Sequence, residues 1–131
     1  MNNKTLNISI NQKQRILLIL IFLVFFVIRA VGAAEITEPE TDKINFLKQE
    51  ILSSNCQFER NGKVYSANKA LDHISNKQSY YKKKIITAQD FINYTATKSH
   101  ISGNPYYLIC NDQQKQSLVI WLNSKLLNLK K

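Results

Sequence analysis

Ile16 to Ile28 is a run of thirteen residues without one polar side chain, and it decides how much of this chain can fold as a soluble domain. A run of that kind partitions into a membrane as a short helix, and its flanks say what sort of segment it is. Lys4, Lys13 and Arg15 are the only charges before it, and the small residues Ala30-Val31-Gly32-Ala33-Ala34 follow it. A basic start, an apolar middle and a small-residue end make a secretory signal sequence over residues 1–34, with cleavage after Ala33 or Ala34. The competing reading is an uncleaved inner-membrane anchor. A spanning helix takes about 20 apolar residues, and Arg29 ends this run well short of that. No cysteine lies near the cleavage region, so nothing there invites a lipid anchor.

Cleavage leaves about 97 residues, one domain by length, with a short acidic lead-in over 35–41 read as flexible and a folded part over 42–131. The precursor carries 18 basic and 9 acidic residues, but Lys4, Lys13, Arg15 and Arg29 leave with the signal, so the exported part keeps a net charge near +5. In the cytosol such a balance raises the question of nucleic acid. Beyond it, the counterparts are anionic headgroups, acidic glycans or acidic proteins, and the expected partner is an anionic envelope component, not nucleic acid. The plain alternative is a solvated basic surface. Cys56 and Cys110 are the only cysteines. In an oxidising compartment two such residues pair as a rule; buried free thiols are the alternative. Neither has a second Cys or a His at ligand spacing, so no metal site is expected.

Along the exported part, Ile44, Leu47 and Ile51 with Phe46 and Leu52 trace one face of a helix starting at Thr41 or Asp42 and ending at Ser53-Ser54-Asn55. Cys56–Arg60, Asn61-Gly62 and Lys63–Tyr65 form a hairpin, because Asn-Gly suits the two positive φ angles of a type I′ turn. The two-residue loop sets Phe58 opposite Tyr65. Ser66 caps a second helix whose face runs Ala67, Leu71, Ile74, Gln78, Tyr81, Ile85. Thr87 and Asp90 resemble a capping box that opens a third helix to about Lys98, with Phe91, Ile92, Thr95 and Ala96 inward. Gly103 and Pro105 then mark a turn, Tyr106–Cys110 reads as a strand, and Asn111 to Gln116 as a polar loop. Ser117 caps a last helix with Leu118, Leu122, Leu126 and Leu129 on one face. Ile120 and Leu127 fall nearly opposite; a helix this rich in apolar residues is read as sandwiched in the core, with an exposed partner contact as the alternative. The fold class is α+β, about four helices packed with a small hairpin and one further short strand.

Four blocks in register, Phe58-Glu59-Arg60-Asn61-Gly62, His73…Lys77…Lys84-Ile85, Thr87-Ala88-Gln89-Asp90-Phe91-Ile92 and Ser102-Gly103-Asn104-Pro105-Tyr106, resemble the YfeK-like proteins. These are small exported bacterial proteins grouped as a domain of unknown function, and the likeness runs from about Ile44 to Tyr107. It implies a periplasmic setting in a Gram-negative bacterium and carries over no catalytic residue. The cysteine pair is not expected across that family.

The sequence names no activity. His100 lies in a loop with Ser99 and Ser102, but no G-x-S-x-G elbow accompanies them, and serines in turns serve mostly backbone hydrogen bonds. No carboxylate pair stands out for glycoside hydrolysis, and Gly62 and Gly103 are too few for a phosphate-cradling loop. The expectation is a non-catalytic periplasmic or secreted binding or accessory module without a cofactor. An envelope enzyme built around the Ser99–Tyr106 loop is one alternative, and a membrane-tethered accessory protein is the other. On a helix, His73, Lys77 and Lys84 would fall at i, i+4 and i+11 and so form one stripe. That stripe is the candidate contact for an anionic partner, with His73 tuning affinity as pH falls.

Overall fold

The computed structural model describes residues 11–27, 34–111 and 114–129. Ile28, Arg29 and the cleavage position at Ala33 lie outside the described residues. The chain divides into two compact units, residues 1–34 and 35–131. In the first, Gln12–Val27 is a helix, α1, whose described apolar side chains from Ile16 to Phe22 are exposed. Among the described residues no helix is long and apolar enough to cross a membrane.

The second unit is α+β. In order it holds α2 (Glu38–Ser53), β1 (Cys56–Arg60), β2 (Lys63–Tyr65), α3 (Ala67–Tyr80), α4 (Ala88–Phe91) running into a π-helical turn at Ile92–Ala96, β3 (Tyr107–Cys110), β4 (Gln116–Ser117) and α5 (Leu118–Leu129). The four strands form an antiparallel sheet in the order β2-β1-β3-β4. Strand side chains alternate between faces, and the face bearing Cys56, Phe58 and Leu108 is buried. Against it pack Ile44, Leu47 and Ile51 of α2, Ile74 of α3, Phe91 and Ile92, and Leu118, Leu122 and Leu126 of α5. Every described residue of this core lies in residues 36–126, within the second unit.

The hairpin forms as its sequence dictates. Asn61 and Gly62 take φ of 52° and 73°, and Phe58 faces Tyr65. Cys56 and Cys110 are direct partners in the β1–β3 ladder and form a disulfide that ties the hairpin to the third strand. The capping box is complete, with Thr87 Oγ1 accepting from the Asp90 backbone N–H and Asp90 Oδ2 from that of Thr87.

Several boundaries differ from the periodicity. Helix α2 begins at Glu38 and takes in residues assigned above to the flexible lead-in. Pro39 sits in its first turn, where a missing N–H is harmless, and Glu38 and Glu40 suit the positive end of the helix dipole. Helix α3 stops at Tyr80, short of Ile85. A turn over Tyr81–Lys84, closed by the Lys84 N–H donating to the Tyr81 carbonyl at 2.8 Å, re-aims the chain so that Ile85 still reaches the core. The third helix widens into a π turn after Phe91. There the Thr95 hydroxyl donates to the Phe91 carbonyl at 2.7 Å and that of Thr97 to Asn93 at 2.9 Å, competing with the regular backbone ladder. Its inward set of Phe91, Ile92, Thr95 and Ala96 is nonetheless buried. Gln116 and Ser117, placed in a loop and at a cap, pair with Leu108 and Tyr107 as a fourth strand. Ile120 and Leu127 are each 62 % exposed, which corrects their assignment to the core. Helix α5 packs along one side only.

Candidate functional site

A cleft of about 370 Å³ opens between the hairpin, the middle of α3 and the residues around β3, walled by Phe58, Arg60, Tyr65, His73, Tyr106 and Leu118 among others. The folding rules above place its polar groups. Arg60 is two residues beyond the buried Phe58, so strand alternation turns it to the same face, toward α3. Its guanidinium lies 5.3 Å from the centre of the Tyr65 ring, a cation–π distance. His73 and Lys77 are one helical turn apart on α3.

These groups form a connected cluster. Arg60 Nη1 lies 2.7 Å from His73 Nδ1, and His73 Nε2 lies 3.0 Å from the Tyr106 hydroxyl. Arginine only donates, so Nδ1, at the shorter distance, accepts from Arg60; the same Nη1 lies 3.1 Å from Nε2, which also faces the Tyr106 hydroxyl. The His73 and Tyr106 rings meet edge-on, with centroids 5.8 Å apart. Lys77 Nζ donates to the Lys98 carbonyl at 2.8 Å and lies 5.1 Å from the Tyr106 ring centre. Lys77 thus packs against Tyr106, a residue that walls the cleft.

Burial and neighbouring cations set the titration of the cluster. Burial, then the Arg60 and Lys77 charges, hold His73 below the usual imidazole range. Burial, with Arg60 beside it, brings the Lys77 ammonium down to about 8. Burial raises the Tyr106 phenol. Glu59 and Asp72 also border the cleft, but Glu59 pairs with Lys115 at 3.1 Å. Among the described residues, the ion pairs are Lys43–Glu40, Lys115–Glu59 and Lys125–Glu50, and neither Arg60 nor Lys77 has a carboxylate partner. Arg60 and Lys77 thus lie beside Tyr65 and Tyr106 without an ion-pair partner among the described residues, while the Asp72 carboxylate borders the same cleft.

Of the three residues on the sequence-derived stripe, the structure brings His73 and Lys77 together and separates Lys84. Because α3 ends at Tyr80, Lys84 sits in the following turn, 6.0 Å from the Tyr81 ring centre and 5.9 Å from that of Tyr94. Arg60 and Tyr106 enter the cluster without having been singled out. The parity of Arg60 with Phe58 was the available signal; that Tyr106 meets His73, 33 residues away, depends on tertiary structure.

In the Ser99–Tyr106 loop the serines and His100 are engaged in hydrogen bonds. Ser99 is buried, and its hydroxyl oxygen accepts from the Ser102 N–H at 3.4 Å. His100 turns away, its Nδ1 2.8 Å from the Tyr81 hydroxyl. The loop is instead pinned to the hairpin turn, where Asn61 Oδ1 accepts from Ser102 Oγ at 2.7 Å and from Asn104 Nδ2 at 3.3 Å.

Residues 38–130 match the family model DUF5329, described as a family of unknown function, and the chain belongs to that family. No curated protein matches the chain, and no solved structure does.

Proposed function

We propose that residues 35–131 are a non-catalytic binding module of the bacterial cell envelope, delivered by a cleaved signal sequence, and that the cleft at Arg60, His73 and Tyr106 holds an anionic group of its partner. The observation that carries this reading is the pair of cations, Arg60 beside Tyr65 and Lys77 beside the buried Tyr106, neither of which has an ion-pair partner among the described residues. A protein keeps charge in that state at some cost in stability, and a function that needs the charge is the ordinary reason. Export is supported by the N-terminal charge and hydropathy pattern, by the likeness to the YfeK-like proteins, and by a disulfide of the kind that persists in oxidising compartments. An enzyme at the Ser99–Tyr106 loop has less support, since Ser99 is buried and His100 is bonded to Tyr81.

Thermal unfolding of residues 35–131 with inorganic phosphate and citrate as probes tests the binding reading. A ligand at a hundred times its Kd stabilises by about 2.7 kcal/mol, which is on the order of 10 °C or more for a domain of this size. Stabilisation by either anion, lost in Arg60→Gln/Lys77→Gln, is expected; no response to either probe, or one unchanged in the double variant, counts against the cleft. N-terminal sequencing of the protein recovered from cells decides export separately. A start at Ala34 or Glu35 supports it, and an intact Met1 on a membrane-bound product favours the tethered form.

A further inference from the structure

A second surface shares no lining residue with the cleft. Tyr80, Tyr81, Lys82, Lys83, Lys84 and His100 surround a shallow depression at the end of α3, and no carboxylate lines it. Lys82, Lys83 and Lys84 are all exposed, and none is in an ion pair among the described residues. The turn that carries them is rigidly braced. Tyr81 is packed between Tyr80 and Tyr94, with ring centroids 4.8 and 5.3 Å away, and is hydrogen-bonded to His100.

Two exposed groups belong to this region by position, one in the lining and one a single residue from it. Tyr80 is 77 % exposed, and Ile101, next in the chain to His100, is 99 % exposed. Ile101 is not a fraying end. The Gly103 N–H donates to the Ser99 carbonyl at 3.0 Å, and the Ser99 N–H to the Asn104 carbonyl at 2.8 Å, so the backbone on both sides of it is fixed. Gly103, at φ +73°, supplies the left-handed residue this turn requires. The fold therefore holds an isoleucine out in water one residue from His100, which shares a depression with three lysines unpaired among the described residues.

We infer that this tip, Tyr80, Lys82–Lys84 and Ile101, docks the domain on an anionic lipid surface. The lysines match the charge of acidic headgroups, where each basic residue near the surface strengthens binding about fivefold. Tyrosine suits the headgroup boundary, with an apolar ring and a polar tip. Ile101 is the group that distinguishes a bilayer from a soluble polyanion, because only a bilayer offers an apolar layer just beneath its charges. Docking does not depend on the cleft.

Residues 35–131 are floated with vesicles of pure phosphatidylcholine, with vesicles containing 30 % phosphatidylglycerol, and separately titrated with dextran sulfate. Binding that prefers the acidic vesicles is expected. It should fall about tenfold in Ile101→Ser and on the order of a hundredfold in Lys82→Gln/Lys83→Gln/Lys84→Gln, with both variants melting as the parent does. Equal binding to neutral and acidic vesicles would overturn the inference. So would lysine-dependent binding that Ile101→Ser and Tyr80→Ser leave unchanged while dextran sulfate competes fully, which would make the tip a polyanion site.

Discussion

Arg60 Nη1 and His73 Nδ1 meet at 2.7 Å across the gap between β1 and α3, with the guanidinium as donor. That contact requires a lone pair on the ring, so a proton on Nδ1 would set two donors against each other. Burial, Arg60 and Lys77 all lower the His73 pKa in the folded state. The folded state thus binds this proton less readily than the unfolded chain, whose histidine titrates near 6.5. The associated stability is present above about pH 6.5 and is lost as pH falls from there through the folded-state value. Melting temperatures across pH 7.5 to 5 should fall more steeply for the parent than for His73→Gln. Parallel curves would remove His73 from the account. Phosphate in the cleft favours the imidazolium, so it should flatten the parent's decline.

The disulfide makes a larger prediction. Cys56 and Cys110 are separated by 54 residues, and closing a loop of that size stabilises by about 4 kcal/mol in the chain-entropy treatment. That is a large share of the roughly 5–15 kcal/mol available to a small domain. Cys56→Ala/Cys110→Ala should lower the melting temperature by roughly 20 °C, at about 4–8 °C per kcal/mol. A drop of only a few degrees would mean that the β1–β3 ladder holds without it.

Most of the fold could be read where local chemistry and tertiary burial agree. Asn61-Gly62 sets the hairpin register by turn type alone, and Thr87 and Asp90 satisfy each other's backbone donors within four residues. The disagreements fall where a tertiary contact outweighs a local pattern. The α3 periodicity continues through Tyr81, yet the ring contacts of Tyr81 with Tyr94 and His100 accompany an early end. Strand β4 is two polar residues long, and only its bonding to Tyr107 and Leu108 marks it as a strand. The site was half legible for the same reason. His73 and Lys77 share a helix face that spacing reveals, whereas Arg60 and Tyr106 reach them from other elements.

Helix α5 allows a clean contrast between its two sides. Leu122 is fully buried between the sheet and the other helices, whereas Ile120 and Leu127 face solvent. Leu122→Ala should cost about 2–5 kcal/mol through lost burial and the cavity left behind. Ile120→Asp and Leu127→Asp should each change stability by roughly 0.5 kcal/mol or less. Urea unfolding of the three variants measures this. A large loss in either aspartate variant would mean that a further packing partner covers that side of α5.

Lys77 supplies the test that separates a maintained charge from an incidental one. Burial, and then Arg60, bring its ammonium down to about 8 in the folded state from the ordinary lysine value of 10.5. Between those two values the unfolded chain holds more protons than the folded one, so stability rises with pH across that window. Below about pH 8 both states carry the charge, and the folded state bears the full penalty. About half of this lysine still faces water, so screening reduces the effect to on the order of 1 kcal/mol. Lys77→Met keeps the apolar stem packed against Tyr106 and removes the charge. The variant should match or exceed the parent in stability at pH 7, and its curve should lack the parent's gain between pH 8 and 10.5. Tyrosines titrate in the upper part of that range, so the informative quantity is the difference between the two curves. Stability recovered at pH 7 together with anion stabilisation lost would identify Lys77 as a charge retained for binding. A methionine variant markedly less stable at pH 7, with an unchanged pH curve, would instead assign Lys77 to holding the Lys98 carbonyl.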